Sequence, residues 1–282
     1  MPDGGGVQST GVGPSLSRWA PSRAPRLAVV LLALGALAYT AWVLELVLAT
    51  GLDLVQAYVS ELAATDQPLG GLFRATDLAA GLLVLAAACT ALRWLPHRPW
   101  ATTGWAALAL FGAATAADSR LPLSCAPTAD PVCAARETAG LVPATHTAHA
   151  VTSALAMVGA LAALVVLTAA ARRYGWWPPV ARFGPPLAAA ELAATAWTLA
   201  AVAAFEAGRG SWALGAGQRL QVLLLAVWLG VLAYGVGRPC RRTDPASGPA
   251  APGPDADSAA PGPDAGPGAA PGAGCRDPEG GS

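Results

Sequence analysis

Six stretches of the chain are apolar for long enough to cross a bilayer, at about 27–48, 76–95, 101–117, 148–170, 184–205 and 218–236. A crossing needs roughly 20 mostly apolar residues, because each adds about 1.5 Å of helix against about 30 Å of hydrocarbon. Lipid offers no partner to backbone amides, so every such stretch must close its own hydrogen bonds as a helix. The fold class that follows is all-α: a polytopic bundle of six transmembrane helices spanning residues 26–238. The third stretch is the shortest, because Asp118 ends it early. Charge agrees: 12% of residues are charged, about half the usual share of a water-soluble domain. The formal net charge is +0, and no clustered basic face offers itself to nucleic acid.

Arginine sets the orientation, since all 17 basic residues are Arg and short basic loops stay in the cytoplasm. Eleven fall on one side, around residues 18–26, 93–98, 172–182 and 238–242. Arg74, Arg120, Arg136 and Arg209 fall on the other, with Arg219 at a helix mouth. Both termini are therefore expected in the cytoplasm of a multi-pass cell-membrane protein. Residues 1–25 and 239–282 are rich in Gly, Pro, Ala and Ser, with too little apolar surface to offset chain entropy, and are expected to be disordered tails. The abundance of Ala, Gly and Arg is the coding bias of a GC-rich genome.

Two longer loops face outward on this topology. In the first, Leu54, Val55, Tyr58, Val59 and Leu62 recur at helical spacing, which predicts a short interfacial helix over 53–62 with Gln56, Ser60 and Glu61 on its polar face. The second carries Cys125 and Cys133 in a Pro-rich segment. In an oxidising compartment that pair is expected to form a disulfide.

Ionisable residues near the hydrocarbon are costly and therefore informative. Asp77 opens the second span, where it would also suit a helix N-terminus. Asp118 closes the third, within reach of Arg120. His146 and His149 open the fourth, one turn apart, with Ser153 a turn further in. These are expected at one depth, where Asp77, Asp118 and His149 would meet in a polar pocket edged by Ser60 and His146. Glu45 lies near the outer end of the first span, and Glu191 lies deep within the fifth as a buried polar group.

These residues carry a resemblance. Ser60-Glu61-Leu62, Asp77 with Gly81, Asp118 with Leu121-Pro122, Cys125 and Cys133, and His149 with Ser153 resemble the domain-of-unknown-function 998 (DUF998) family of bacterial and archaeal membrane proteins, over roughly residues 28–237. The resemblance implies a six-span helical bundle and no activity. A weaker likeness is to the CREST superfamily of membrane hydrolases, which holds zinc with three His; this chain offers only His146 and His149 on that side.

Three functions are compatible with these features. The pocket binds or organises a membrane lipid or a membrane partner, with no cofactor. Alternatively, His146, His149 and a carboxylate, Asp77 or Asp118, hold zinc, whose water at a pKa of about 7 hydrolyses a lipid amide or ester with Ser60 near the oxyanion. Thirdly, Glu191 serves a small proton-coupled transporter. Sequence leaves open whether the chain is an enzyme.

Overall fold

The computed structural model describes residues 23–238. Of the two tails expected to be disordered, residues 1–22 and 239–282 lie outside the described residues, while 23–25, counted in the first tail, already belong to α1. All regular structure among the described residues is helical: α1 (Arg23–Tyr39), α2 (Gly70–Trp94), α3 (Pro99–Asp118), α4 (Pro131–Thr138), α5 (Ala144–Tyr174), α6 (Pro178–Glu206) and α7 (Leu214–Gly237). Two short 3₁₀ segments, Ala41–Leu46 and Val59–Ala63, lie between α1 and α2. Helix ends use familiar chemistry. Pro99, Pro131 and Pro178 stand at the first positions of α3, α4 and α6, where the missing amide costs nothing. Gly175, at φ +68°, ends α5 in the left-handed conformation that glycine tolerates best.

Five of these segments are long and apolar enough to cross a membrane: Pro25–Leu46, Gly70–Trp94, Ala144–Tyr174, Pro178–Glu206 and Leu214–Gly237. The chain is accordingly read as membrane-spanning. α3, at 20 residues, has the length but falls short of that apolarity; Thr102, Thr103 and Gly104 dilute its first turns.

The six long helices close into a ring. α1 packs on α2, α2 on α3, α3 on α5, α5 on α6, α6 on α7, and α7 returns to α1. Where α2 meets α3, only glycine fits: a Cβ on Gly81 would stand 2.5 Å from the Ala116 amide nitrogen, and one on Gly112 2.6 Å from that of Leu85. Small residues let membrane helices approach backbone to backbone. This crossing also sets the site. Asp77 precedes Gly81 by one turn of α2, and Asp118 follows Ala116 by two residues on α3. The contact at Gly81 therefore brings two carboxylates to one level.

The ring is filled at one end and hollow at the other. At the end carrying Trp105 and Trp177, the interior is packed with Leu164, Leu167, Leu229 and Leu232, and the two indoles meet edge to face with centroids 5.8 Å apart. Towards the opposite end the interior opens into a cavity of about 440 Å³, which all six helices line.

One expected element is absent. Residues 53–62 do not form an amphipathic helix; they make a turn and then the 3₁₀ segment. The physical reason is competition for their backbone. Asp53 Oδ1 takes the amides of Val55 and Gln56 at 2.7 and 3.0 Å, an Asx-type turn that displaces helical bonding. The remaining groups are claimed by α7: Val55 O accepts from Ala216 N at 3.0 Å, and Val59 N donates to Gln218 Oε1 at 2.8 Å.

Candidate functional site

The loop before α2 and the loop between α3 and α5 are stitched together above the cavity. Cys125 and Cys133 are disulfide-bonded, with Cα atoms 6.0 Å apart. Asp130 caps α4 by accepting from Val132 N at 2.9 Å, which orients the helix that presents Cys133 and Glu137. Thr65 N donates to Leu123 O and Thr65 Oγ1 to Ser124 O, both at 2.9 Å. Glu61, fully buried rather than solvated, accepts from Thr128 N at 2.7 Å and from the Thr128 hydroxyl. Burial pushes the Glu61 carboxyl above the ordinary carboxylate range, against the lowering effect of those Thr128 bonds.

Ser60, Asp77, Asp118, His146 and His149 all line the one cavity, and so does Glu191. Asp77 is two turns into α2, about 10 Å of helix beyond Gly70, so it does not cap that helix. It lies within electrostatic range of Asp118 and His149. No hydrogen-bond donor or cation of the described residues is bound to it. Asp118 does not turn to Arg120. It faces His149 Nδ1 at 3.1 Å, accepts from the Thr152 hydroxyl, and accepts from Ser153 Oγ at 3.2 and 3.0 Å.

Proton bookkeeping defines the two histidines. His146 Nδ1 receives the Ser124 amide at 3.2 Å and lies 2.9 Å from Ser124 Oγ. A backbone N–H can only donate, so Nδ1 is the acceptor and the proton sits on Nε2, directed at Glu137 Oε1 3.3 Å away. His149 is the reverse. Its Nδ1 faces two acceptors, Asp118 Oδ1 and Leu121 O, each at 3.1 Å, so Nδ1 carries the proton. Its Nε2 stands 3.3 Å from Ser153 Oγ. The Ser153 hydroxyl has one proton to give, and both Asp118 and His149 Nε2 lie within its reach.

The order Asp118–His149–Ser153 resembles the wiring of a nucleophilic relay. It lacks the rest of that machinery. Ser153 is inside α5, where its own amide and its neighbours' amides belong to the helical ladder, so no backbone pair is free to stabilise an oxyanion. Nor do the expected zinc ligands converge. Among the described residues no group of three or more His, Cys, Asp or Glu side chains is placed to hold a metal ion. The lone-pair nitrogen of His146 is spent on Ser124, and the nitrogens of His149 face Asp118, Leu121 and Ser153.

A second charged centre was legible only in half. Glu45 is buried, and Arg219 donates to both its oxygens: Nε to Oε1 and Nη2 to Oε2, each at 2.6 Å. A third arginine bond, Nη1 to Ala57 O at 2.8 Å, fixes the first loop to α7. The missed signal is two opposite charges at the outer ends of the first and last spans, 174 residues apart in sequence.

The cavity also has a side. Of the residues that line it, Ala150, Ala154, Leu199 and Glu206 are exposed, and all four belong to α5 or α6. The cavity therefore opens laterally between these two helices.

No curated protein and no solved structure matches the chain. The family model described as a protein of unknown function, DUF998, matches residues 32–235 of the 282. Reaching from within α1 to within α7 and taking in both loops over the cavity, that match makes the chain a member of the DUF998 family.

Proposed function

We propose that this protein binds a membrane amphiphile, a lipid or a lipid-like small molecule, inside the helical ring. The observation that carries the reading is the cavity of about 440 Å³, whose walls come from all six helices and whose side opens between α5 and α6. That volume lies within the usual range of small-molecule sites, as does the mixture of an apolar wall with a few polar groups. Its polar groups, Asp118, His149 and Ser153 beneath the disulfide loop, suit a head group, and its flank suits an acyl or alkyl chain reaching into lipid. In this reading α3 crosses the membrane as a sixth span, because it is enclosed by α2 and α5 and needs less apolar surface of its own. The arginine bias places both termini and the loop of Arg172 and Arg173 in the cytoplasm, and the cavity at the outer leaflet. Reporter fusions after Gly237 and at Thr128 are expected to give opposite compartments; matching signals overturn that orientation.

A transport reading draws on Glu191 alone, and a hydrolytic one needs an oxyanion site or a metal site. Binding needs only what is present. Protein purified in dodecyl maltoside and released into native mass spectrometry is expected to carry one amphiphile adduct. Val222→Trp, which fills the cavity from α7, is expected to remove the adduct while the unfolding temperature holds. An adduct that survives in Val222→Trp, or none in the wild type, overturns the reading.

A further inference from the structure

We infer that the ligand of this cavity carries a positive charge: it is an organic ammonium with an apolar body. The inference rests on the binding reading above and adds the charge of the occupant. Five carboxylates line the wall, Asp77, Asp118, Glu137, Glu191 and Glu206, and no arginine does; the chain has no lysine. Asp118 is matched by His149 and Glu137 by His146. Asp77, though within electrostatic range of His149, has no hydrogen bond or ion pair with the described residues, and neither has Glu191 Oε2. Two arginines of the adjoining segments are spent elsewhere. Arg74, one turn before Asp77 on α2, turns its Nη1 to Ala63 O at 2.6 Å and Ala64 O at 3.2 Å, and Arg219 is consumed by Glu45.

Glu191 is the decisive residue. It is 4% exposed, it lines the cavity, and its Oε2 is buried without a hydrogen-bond partner. Buried polar atoms are normally satisfied, and an orphan at a cavity wall marks where a partner is expected. The carboxylates also share one volume, since the Tyr39 hydroxyl lies within electrostatic range of Asp77, Glu191 and Asp118 together. An inorganic cation fits this arrangement poorly. Calcium and magnesium need about six or more oxygens at short range, and no three ligating side chains of the described residues come together. A diffuse organic cation has no such requirement. It is drawn to separated carboxylates and to aromatic faces, and Tyr39, Trp42, Tyr58, Phe73 and Phe111 supply the faces.

The test uses full-length protein in dodecyl maltoside, a nonionic detergent, with three chain-matched probes: dodecyltrimethylammonium, dodecanol and dodecyl sulfate. Equilibrium binding of the ammonium probe is expected to exceed that of the alcohol by about tenfold or more, with the sulfate weakest. Glu191→Gln and, independently, Asp77→Asn are each expected to weaken the ammonium probe by about tenfold and leave dodecanol unchanged. Equal binding of all three probes, abolished by Val222→Trp, overturns the charge of the ligand and leaves the binding reading standing. Failure of every probe to bind overturns both. Preference for the sulfate, or ammonium binding untouched in both variants, overturns the inference alone.

Discussion

Two groups of buried charge occupy the same end of this bundle, and they are built on opposite terms. At the junction of the first loop with α7, Arg219 and Glu45 satisfy each other through two bonds of 2.6 Å, and the third arginine donor goes to Ala57 O. Inside the ring, Asp77 and Glu191 face a cavity with no arginine on its wall, in a chain without lysine. Burying a charge is costly unless it is paired and hydrogen-bonded. A pair that is complete within the chain serves the fold, whereas carboxylates left incomplete around a cavity reduce its stability and, on the binding proposal, serve the occupant of that cavity. Separate the two groups by mutation and they should respond with opposite signs.

The largest effect is expected at the complete pair. Arg219→Met strands a buried carboxylate and should cost about 3–5 kcal/mol, while the double change Glu45→Met with Arg219→Met should recover most of that loss. Denaturant unfolding of single and double variants checks this; a double variant as unstable as the single one breaks the comparison at its first term. The disulfide is next. Replacing Cys125 and Cys133 together by Ser should cost about 2–3 kcal/mol, the loop-closure value for a short loop. Because the loop roofs the cavity, probe binding should weaken with it. Unfolding and binding measured side by side would show stability falling while binding holds if the loop does not cover the site.

Glu61 gives a smaller, pH-dependent effect. Its carboxyl is pushed above the ordinary value by burial, so the folded state holds that proton more tightly than the unfolded state does. Stability from this group is complete below the unfolded value of about 4.5 and is lost as pH rises through the folded one. Glu61→Gln should therefore flatten the decline in unfolding temperature between acidic and mildly alkaline pH. Parallel curves for the variant and the wild type would remove Glu61 from this role.

The sequence exposed the bundle more readily than it exposed the pairing. Each apolar stretch is a helix, as the need to close hydrogen bonds internally in lipid predicts, and the expected disulfide joins the two cysteines of one Pro-rich loop. Asp77, Asp118 and His149 were legible as a group because depth in a membrane can be read along each span. Distances across the ring cannot be read that way. Glu191 reads in sequence only as a buried polar group deep in its span, whereas the hollow interior puts it on the same wall as Asp77 and Asp118, and Arg219 meets Glu45 across 174 residues. The stretch at 53–62 misled for a more local reason. Its periodicity is helical, but Asp53, Ala216 and Gln218 compete for its backbone, and two of those three come from the far end of the chain.

The contrast rests finally on Glu191. If its carboxylate awaits a ligand, then the ligand-free protein is strained by it, and the isosteric amide removes a buried charge at no loss of shape. Thermal unfolding of Glu191→Gln against wild type, both stripped of amphiphile in dodecyl maltoside, measures this directly. The expected result is a variant as stable as the wild type or more stable, by up to about 1–3 kcal/mol. A loss approaching that of Arg219→Met would show Glu191 to be a partner in the fold, and the distinction between the two groups of charge would collapse.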